Sequence, residues 1–250
     1  MLDLILVSFL QGIIEWLPIS SEGFTTLLLN YFGYSFKEGV DIALFLHLGT
    51  LLASLSFFKK EIFSFLKLEK KKLLSFVVLS GVITSILGLP FYLFLKNISF
   101  DKHLGQILIG SALIITGILQ LKRKEKGERD FEDVNNQVAF LVGLAQAFSV
   151  FPGISRSGIT TIMLNFKGFN IKNSLKLSFL VGIIPIFGAQ LFTGIQEGFF
   201  LDPKYLILVF VSFLVGRITI GYLLKVAKKI NFGKFCLFFG FLNIILVLFI

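Results

Sequence analysis

Residues 11–37 read QGIIEWLPISSEGFTTLLLNYFGYSFK, and residues 146–172 read QAFSVFPGISRSGITTIMLNFKGFNIK. Laid over one another at a shift of 135, ten of the 27 positions are identical. They are Gln11, Ile19, Ser20, Gly23, Thr25, Thr26, Leu29, Asn30, Gly33 and Lys37, each with its counterpart. Composition alone would match roughly two or three positions, so the chain holds an internal repeat. Proline, glycine and serine interrupt each copy halfway, leaving apolar arms of about 12 to 17 residues, too short for two full crossings of a bilayer. Such arms predict re-entrant hairpins, whose irregular tips are tolerated at membrane depth only where protein or a watery cavity satisfies the backbone. Two interrupted segments in corresponding halves point to a binding site.

The surrounding sequence is that of a membrane protein. Of its 250 residues 55% are hydrophobic, and the mean hydropathy is +0.87, well above an ordinary soluble domain. Six stretches approach the about 20 residues a crossing needs: 40–58, 73–95, 104–121, 175–195, 205–224 and 234–250, the last the shortest. The expected fold is an all-α integral membrane protein with six transmembrane helices and two re-entrant helical hairpins. It forms one membrane domain, residues 1–250, with repeat one at 1–121 and repeat two at 137–250, joined by a basic inner loop at 122–136. Three spans separate the hairpins, and three is odd, so the halves should be inverted.

Loop charge tests the inversion separately, because cytoplasmic loops collect Lys and Arg. Loops 59–72, 122–136, 167–176 and 225–234 carry 18 such residues, against four, Lys37, Lys96, Lys102 and Lys204, on the other side. The bias puts both termini outside. The net charge of +9 is therefore membrane topology and does not indicate a nucleic-acid partner. Met1 to Ile19 lacks a basic start and a cleavage site and carries Gln11 and Glu15, so it reads as part of the mature protein. Cys236 is the only cysteine, which excludes an intramolecular disulfide and a cysteine-rich metal site.

The chemistry concentrates at the two tips. Gln11 and Glu15, four apart, share a helix face. Pro18, Ser20, Ser21 and Gly23 then break the chain and offer N-caps for a returning helix. In the second copy Pro152 and Gly153 stop the entering arm, and Ser155 or Ser157 caps a helix beginning near Gly158. A helix start with free N–H groups and hydroxyls attracts anions, and Arg156 adds a planar fork suited to phosphate oxygens. At the bilayer centre that arginine costs about 2.5 to 3.5 kcal/mol on the lenient insertion scale, so it needs a partner. Two are available: Glu15 of the opposite tip, or a ligand phosphate. A mere pin between the hairpins would not require hydroxyls, glycines and helix starts to converge there.

At these residues the sequence resembles the undecaprenyl pyrophosphate phosphatases, also called the bacitracin-resistance family. The resemblance is carried by QGIIE at 11–15 and PGISRSGIT at 152–160, and extends through VDIALFLHLGTLLA, RDFEDVNNQVAFLVGLAQAF, LSFLVGIIPIFGAQL and FVSFLVGRITIGYLL. It implies a multi-pass enzyme of the plasma membrane, its active site facing outward, that removes one phosphate from a polyprenyl diphosphate and recycles the lipid carrier of cell-wall polymers. A divalent cation, magnesium or calcium, is implied as cofactor, and a homodimer is compatible with it. Carried over by position, Glu15 holds the cation or positions the nucleophile, Gln11 supports it, and Arg156 grips the diphosphate. Ser21 matches the serine proposed as nucleophile or phosphate ligand, while Ser20, Ser155, Ser157, Gly158 and Thr160 line the pocket. Either Ser21 attacks or a water held by Glu15 does.

One departure stands out. Family members usually carry a histidine after the SSxG of the first tip, and this chain has Phe24. His47 and Glu22 are candidate substitutes; for each the plainer alternative is a hydrogen-bonded core histidine and a solvated carboxylate. His103 falls in an outer loop, and Arg217 sits where it can snorkel. A rival function is a non-hydrolytic carrier or flippase of polyprenyl phosphate using the same grip, since inverted repeats with broken helices are common in transporters.

Overall fold

The hairpins form because identical residues do identical local work. In the computed structural model, which describes residues 1–96, 98, 101–124 and 127–249, helix α1 (Leu2–Ile14) ends just before Glu15. Helix α2 (Ser21–Tyr31) then starts under a cap in which the Ser20 hydroxyl accepts from the Gly23 N–H. The returning helix leads through Gly33, whose φ of +97° is a left-handed C-terminal stop, into α3 (Phe36–Phe57), capped by Ser35. The second copy repeats this sequence of events. Helix α7 (Asn136–Ala147) yields to a 3₁₀ turn at Phe148–Val150. The Ser155 hydroxyl accepts from Gly158 N–H to open α8 (Arg156–Phe166). Gly168, φ +92°, then turns the chain into α9 (Ile171–Gln196), capped by Asn170. Asn30 and Asn165 brace the two return turns, their amides donating to Tyr34 O and Phe169 O respectively.

Between these units lie α4 (Lys59–Leu66), α5 (Lys71–Lys96) and α6 (Lys102–Leu121); α10 (Pro203–Lys229) and α11 (Gly233–Phe249) complete the chain. Five helices, α3, α5, α6, α9 and α10, are long and apolar enough to cross a bilayer. The sixth expected span, 234–250, is the 17-residue α11 over its described part. It stands at the lower end of the about 17 to 25 residues a crossing takes and is the shortest of the six, as the sequence leads one to expect. A difference lies at 59–72, expected as a loop. There α4 buries Phe65 while Phe63 and Leu66 stay exposed, a lysine-rich amphipathic turn of the kind that lies at a membrane surface. The described start of the basic segment, Arg123 and Lys124, is pinned to the rest. Lys124 N–H donates to Asn165 Oδ1 at 2.7 Å, and Arg123 donates to Ile230 O at 3.0 Å.

The halves exchange arms. Helix α1 packs on α10, and α7 packs on α5, so the first arm of each hairpin lies against a span of the other half. The counterpart helices α6 and α11 run antiparallel. Along α6 and α11, Gly110 faces Gly240 while Gly117 faces Gly233; along α3 and α9, Gly194 meets Phe45. A core of Trp16, Phe76, Leu177, Phe179 and Leu180 fills the seam. The outer faces expose Ile86, Phe94, Phe210, Ile218 and Phe238, an apolar mantle suited to lipid.

Candidate functional site

The two tips meet backbone to backbone: a Cβ on Gly23 would stand 3.0 Å from Gly153 Cα. Gly153 itself holds φ at +100°, a conformation glycine adopts without penalty. Ser20 sits at φ +64°, in the left-handed region where a side chain costs of order 1–3 kcal/mol.

Glu15 is the hub of what the tips enclose. Its Oε1 accepts from Arg156 Nη2 at 2.8 Å, across the contact between the two repeats. Its Oε2 accepts from the Ser21 hydroxyl at 2.6 Å and from Gln11 Nε2 at 3.1 Å. His47, from α3, brings Nε2 to 3.1 Å from the same oxygen and 3.3 Å from Ser21 Oγ. The carboxylate is almost closed to solvent, its side chain 6% exposed. Of the two partners available to Arg156, Glu15 is the one it takes here. The second arm of the guanidinium donates from Nη1 to Ser178 O at 3.1 Å, and its carbon lies 5.4 Å above the Phe179 ring.

Ser20, Ser155, Ser157, Gly158 and Thr160 surround this cluster at one remove. Ser20 and Ser155 are the caps already described. Ser157 Oγ donates to Leu17 O at 3.5 Å, stitching the tips together, and Gly158 stands against Pro18 O. Thr160 Oγ1 donates to Arg156 O at 2.7 Å and lies 2.5 Å from Ser178 Oγ. Of the two candidate substitutes, His47 is in the cluster. Glu22 is not bonded to it, but with His47 and Arg156 it lines a cavity of about 1170 Å³. Its walls are mostly apolar, with Leu89, Ile115 and Phe192 among them, and Lys37 at the start of α3 also lines it. Phe24 lies elsewhere, with its ring centroid 5.2 Å from that of Phe239 and 5.7 Å from that of Phe235, both on α11. His103 is exposed in the first turn of α6. Arg217 donates to Ser56 Oγ at 3.1 Å, far from the hub in sequence and function.

The expected cation site at Glu15 and Gln11 does not form. Gln11 turns its amide nitrogen to Glu15 and its oxygen to Thr25, 3.3 Å away. Among the described residues no three His, Cys, Asp or Glu side chains gather as a metal would require. Hard cations want several oxygen ligands, and here Glu15 is surrounded by nitrogen and hydroxyl donors.

One contributor escapes inspection of the sequence. A Cβ on Gly182 would lie 2.4 Å from Arg156 Nη1, so the missing side chain is what admits the guanidinium to α9. Gly182 is the counterpart of His47 at the repeat shift of 135, and that register was the only available signal.

Comparison with known proteins shows the family. Residues 4–245 match the family model described as Bacitracin resistance protein BacA. The chain is 36% identical to the undecaprenyl-diphosphatase of Methanococcoides burtonii, over 97% of each chain. It is 38% identical to the protein of that name from Methanopyrus kandleri, over 94% of this chain and 92% of that one. With the Methanothrix thermoacetophila undecaprenyl-diphosphatase it shares 32%, over 98% and 96%. Nothing among these similarities favours a non-hydrolytic carrier.

Proposed function

Because the chain belongs to the bacitracin resistance protein BacA family, we propose that it hydrolyses undecaprenyl diphosphate, or a polyprenyl diphosphate like it, to the monophosphate and inorganic phosphate. The single observation that carries the reading is the junction of two unlike environments. One carboxylate, Glu15, accepts from both a guanidinium and a serine hydroxyl, and that guanidinium lines a large, mostly apolar cavity. A diphosphate with a hydrocarbon tail has the same division.

Phosphoryl transfer demands positioning and charge neutralisation more than elaborate covalent work. The terminal phosphate binds at Arg156 and the N–H groups opening α8, with Ser155, Ser157, Gly158 and Thr160 holding that helix start in place. Ser20 does the same for α2. Ser21 is the nucleophile, because its hydroxyl already donates to Glu15 at 2.6 Å, the geometry a general base requires. As Ser21 Oγ bonds to the terminal phosphorus, its proton passes to Glu15. The phosphorus–oxygen bond of the anhydride breaks, and polyprenyl monophosphate leaves with the bridging oxygen. Water then cleaves the Oγ–P bond, releasing inorganic phosphate and restoring the serine. Since Glu15 and Gln11 do not fit a metal, no step passes through one.

We further propose that the halves are inverted across the bilayer, with the cavity open to the outer side and both termini there. Lys37, which lines the cavity, and the lysines of 59–72 sit at opposite ends of α3, a helix spanning roughly 33 Å at 1.5 Å per residue. The lysine-rich end is then cytoplasmic.

Phosphate release from a polyprenyl diphosphate by the purified chain tests the function. The parent should turn over, and Arg156→Ala or Glu15→Gln should lower the rate by about 10²–10³-fold, as loss of a charged transition-state contact does. No release by the parent, or full activity in Arg156→Ala, would sink the proposal.

A further inference from the structure

We propose that a small cleft behind the Glu15–Arg156 pair holds a single water, with Ser54 as its positioning residue, and that this water cleaves the phosphoserine formed at Ser21. The inference deepens the phosphatase reading and rests on it for the chemical step. The water site itself stands on geometry.

Two hollows meet at Arg156. The large cavity is lined along the first turns of α3, from Phe36 to His47. A smaller cleft takes up the next turns, bordered by Thr50, Leu51 and Ser54 together with Glu15, Trp16 and Arg156. Arg156 and Ile186 belong to both, whereas Glu15 borders the cleft and not the cavity. The cleft has about 10 Å³ of room for the centre of a water molecule, close to the about 10–15 Å³ that one water needs. A hydrocarbon tail cannot enter a space of that size.

A buried water also needs about two to four polar partners, and the walls supply them. Ser54 is 5% exposed, and its hydroxyl makes no hydrogen bond among the described residues. Buried hydroxyls in native proteins find a partner, often an ordered water. Glu15 Oε1 accepts only from Arg156 among the described residues, which leaves a lone pair open. The guanidinium has five N–H groups, and its bonds to Glu15 and Ser178 O use two. Thr50 Oγ1 donates to His47 O at 3.1 Å and can still accept. Trp16 sends its N–H elsewhere, to Gly12 O and Thr219 Oγ1. A guanidinium on the same wall disfavours a cation, so the occupant is neutral.

The second half-reaction needs such a molecule. The water oxygen bonds to phosphorus as the Oγ–P bond breaks, one water proton passes to Ser21 Oγ, and the other stays on the phosphate. With lipid on one side of Arg156 and water on the other, a filled cavity does not shut the water out.

Two measurements on the full-length chain test this. The first is a structure in lipidic mesophase at a resolution that shows waters. The parent should carry one about 3 Å from Ser54 Oγ, and Ser54→Val, which removes the hydroxyl and fills the room, should not. No water beside Ser54 in the parent would overturn the site. The second is rapid quenching with polyprenyl diphosphate labelled in its terminal phosphate. Ser54→Val should give a burst of one polyprenyl monophosphate per chain at the parental rate, then phosphate release about 10²-fold slower, with label held on Ser21. Ser54→Ala, which keeps the room, should fall between the two. A merely structural Ser54 would slow burst and release alike and retain no label, and that outcome would overturn the proposal. If the parent releases no phosphate, the phosphatase reading fails and the chemical step with it, whereas the mesophase structure still confirms or refutes the water site.

Discussion

Arg156 lies against α9 only because Gly182 has no side chain, so the smallest change there should disturb the largest charge. Gly182→Ala puts a carbon 2.4 Å from Nη1. A misplacement of about 1 Å is worth of order 10²-fold in rate, and we expect a loss of that size with the thermal unfolding midpoint little changed, measured on the same preparation. The buried pair behaves differently. Removing one partner strands the other charge, at roughly 3–5 kcal/mol, so Glu15→Gln and Arg156→Gln should each destabilise the protein strongly. The double variant should lose less than their sum, which a thermal double-mutant cycle would show. Phe24→His should not raise activity, because the new ring would enter the aromatic cluster with Phe235 and Phe239; a gain in phosphate release would contradict this. Glu15 and Arg156 were legible in the sequence because charges in apolar stretches demand an explanation. Gly182 was not, since one glycine among 23 shows its purpose only when a guanidinium is seen beside it.

At the scale of elements, the hairpins were legible because their determinants are local: a serine cap, an asparagine-braced turn and a left-handed glycine recur at the same spacing. Segment α4 was hidden because its lysines mask a short apolar stripe, whereas α11, Gly233–Phe249 against an expected 234–250, was legible from its unbroken apolar run. The contact between α6 and α11 depends on glycines. A Cβ on Gly117 would lie 2.8 Å from Gly233 O, leaving no room to relax. Gly117→Val should therefore cost about 1–3 kcal/mol through overpacking. Gly221, with only the Phe57 ring at 3.6 Å, is the contrast: Gly221→Ala should stabilise α10 by roughly 0.5–1 kcal/mol. Unfolding midpoints in detergent would separate the two, and equal shifts would contradict the packing described.

At the scale of the whole molecule, counting spans and basic residues was enough to expect inversion, but the exchange of arms between halves was not legible. Apolar helix surfaces do not name their partners; fit does, as where a Cβ on Gly12 would lie 2.8 Å from Val215 Cβ of α10 and one on Gly143 would lie 2.7 Å from Ser80 O of α5. The central claim is that two oppositely oriented copies of one hairpin bring Glu15 and Arg156 to a single lipid-phosphate site. Lys37 and Lys172 are counterparts in the repeat and both exposed, so inversion requires them on opposite sides of the membrane. With the buried Cys236 changed to serine, Lys37→Cys should react with a membrane-impermeant maleimide in intact cells. Lys172→Cys should react only after the membrane is opened; labelling of both from the same side would contradict the account.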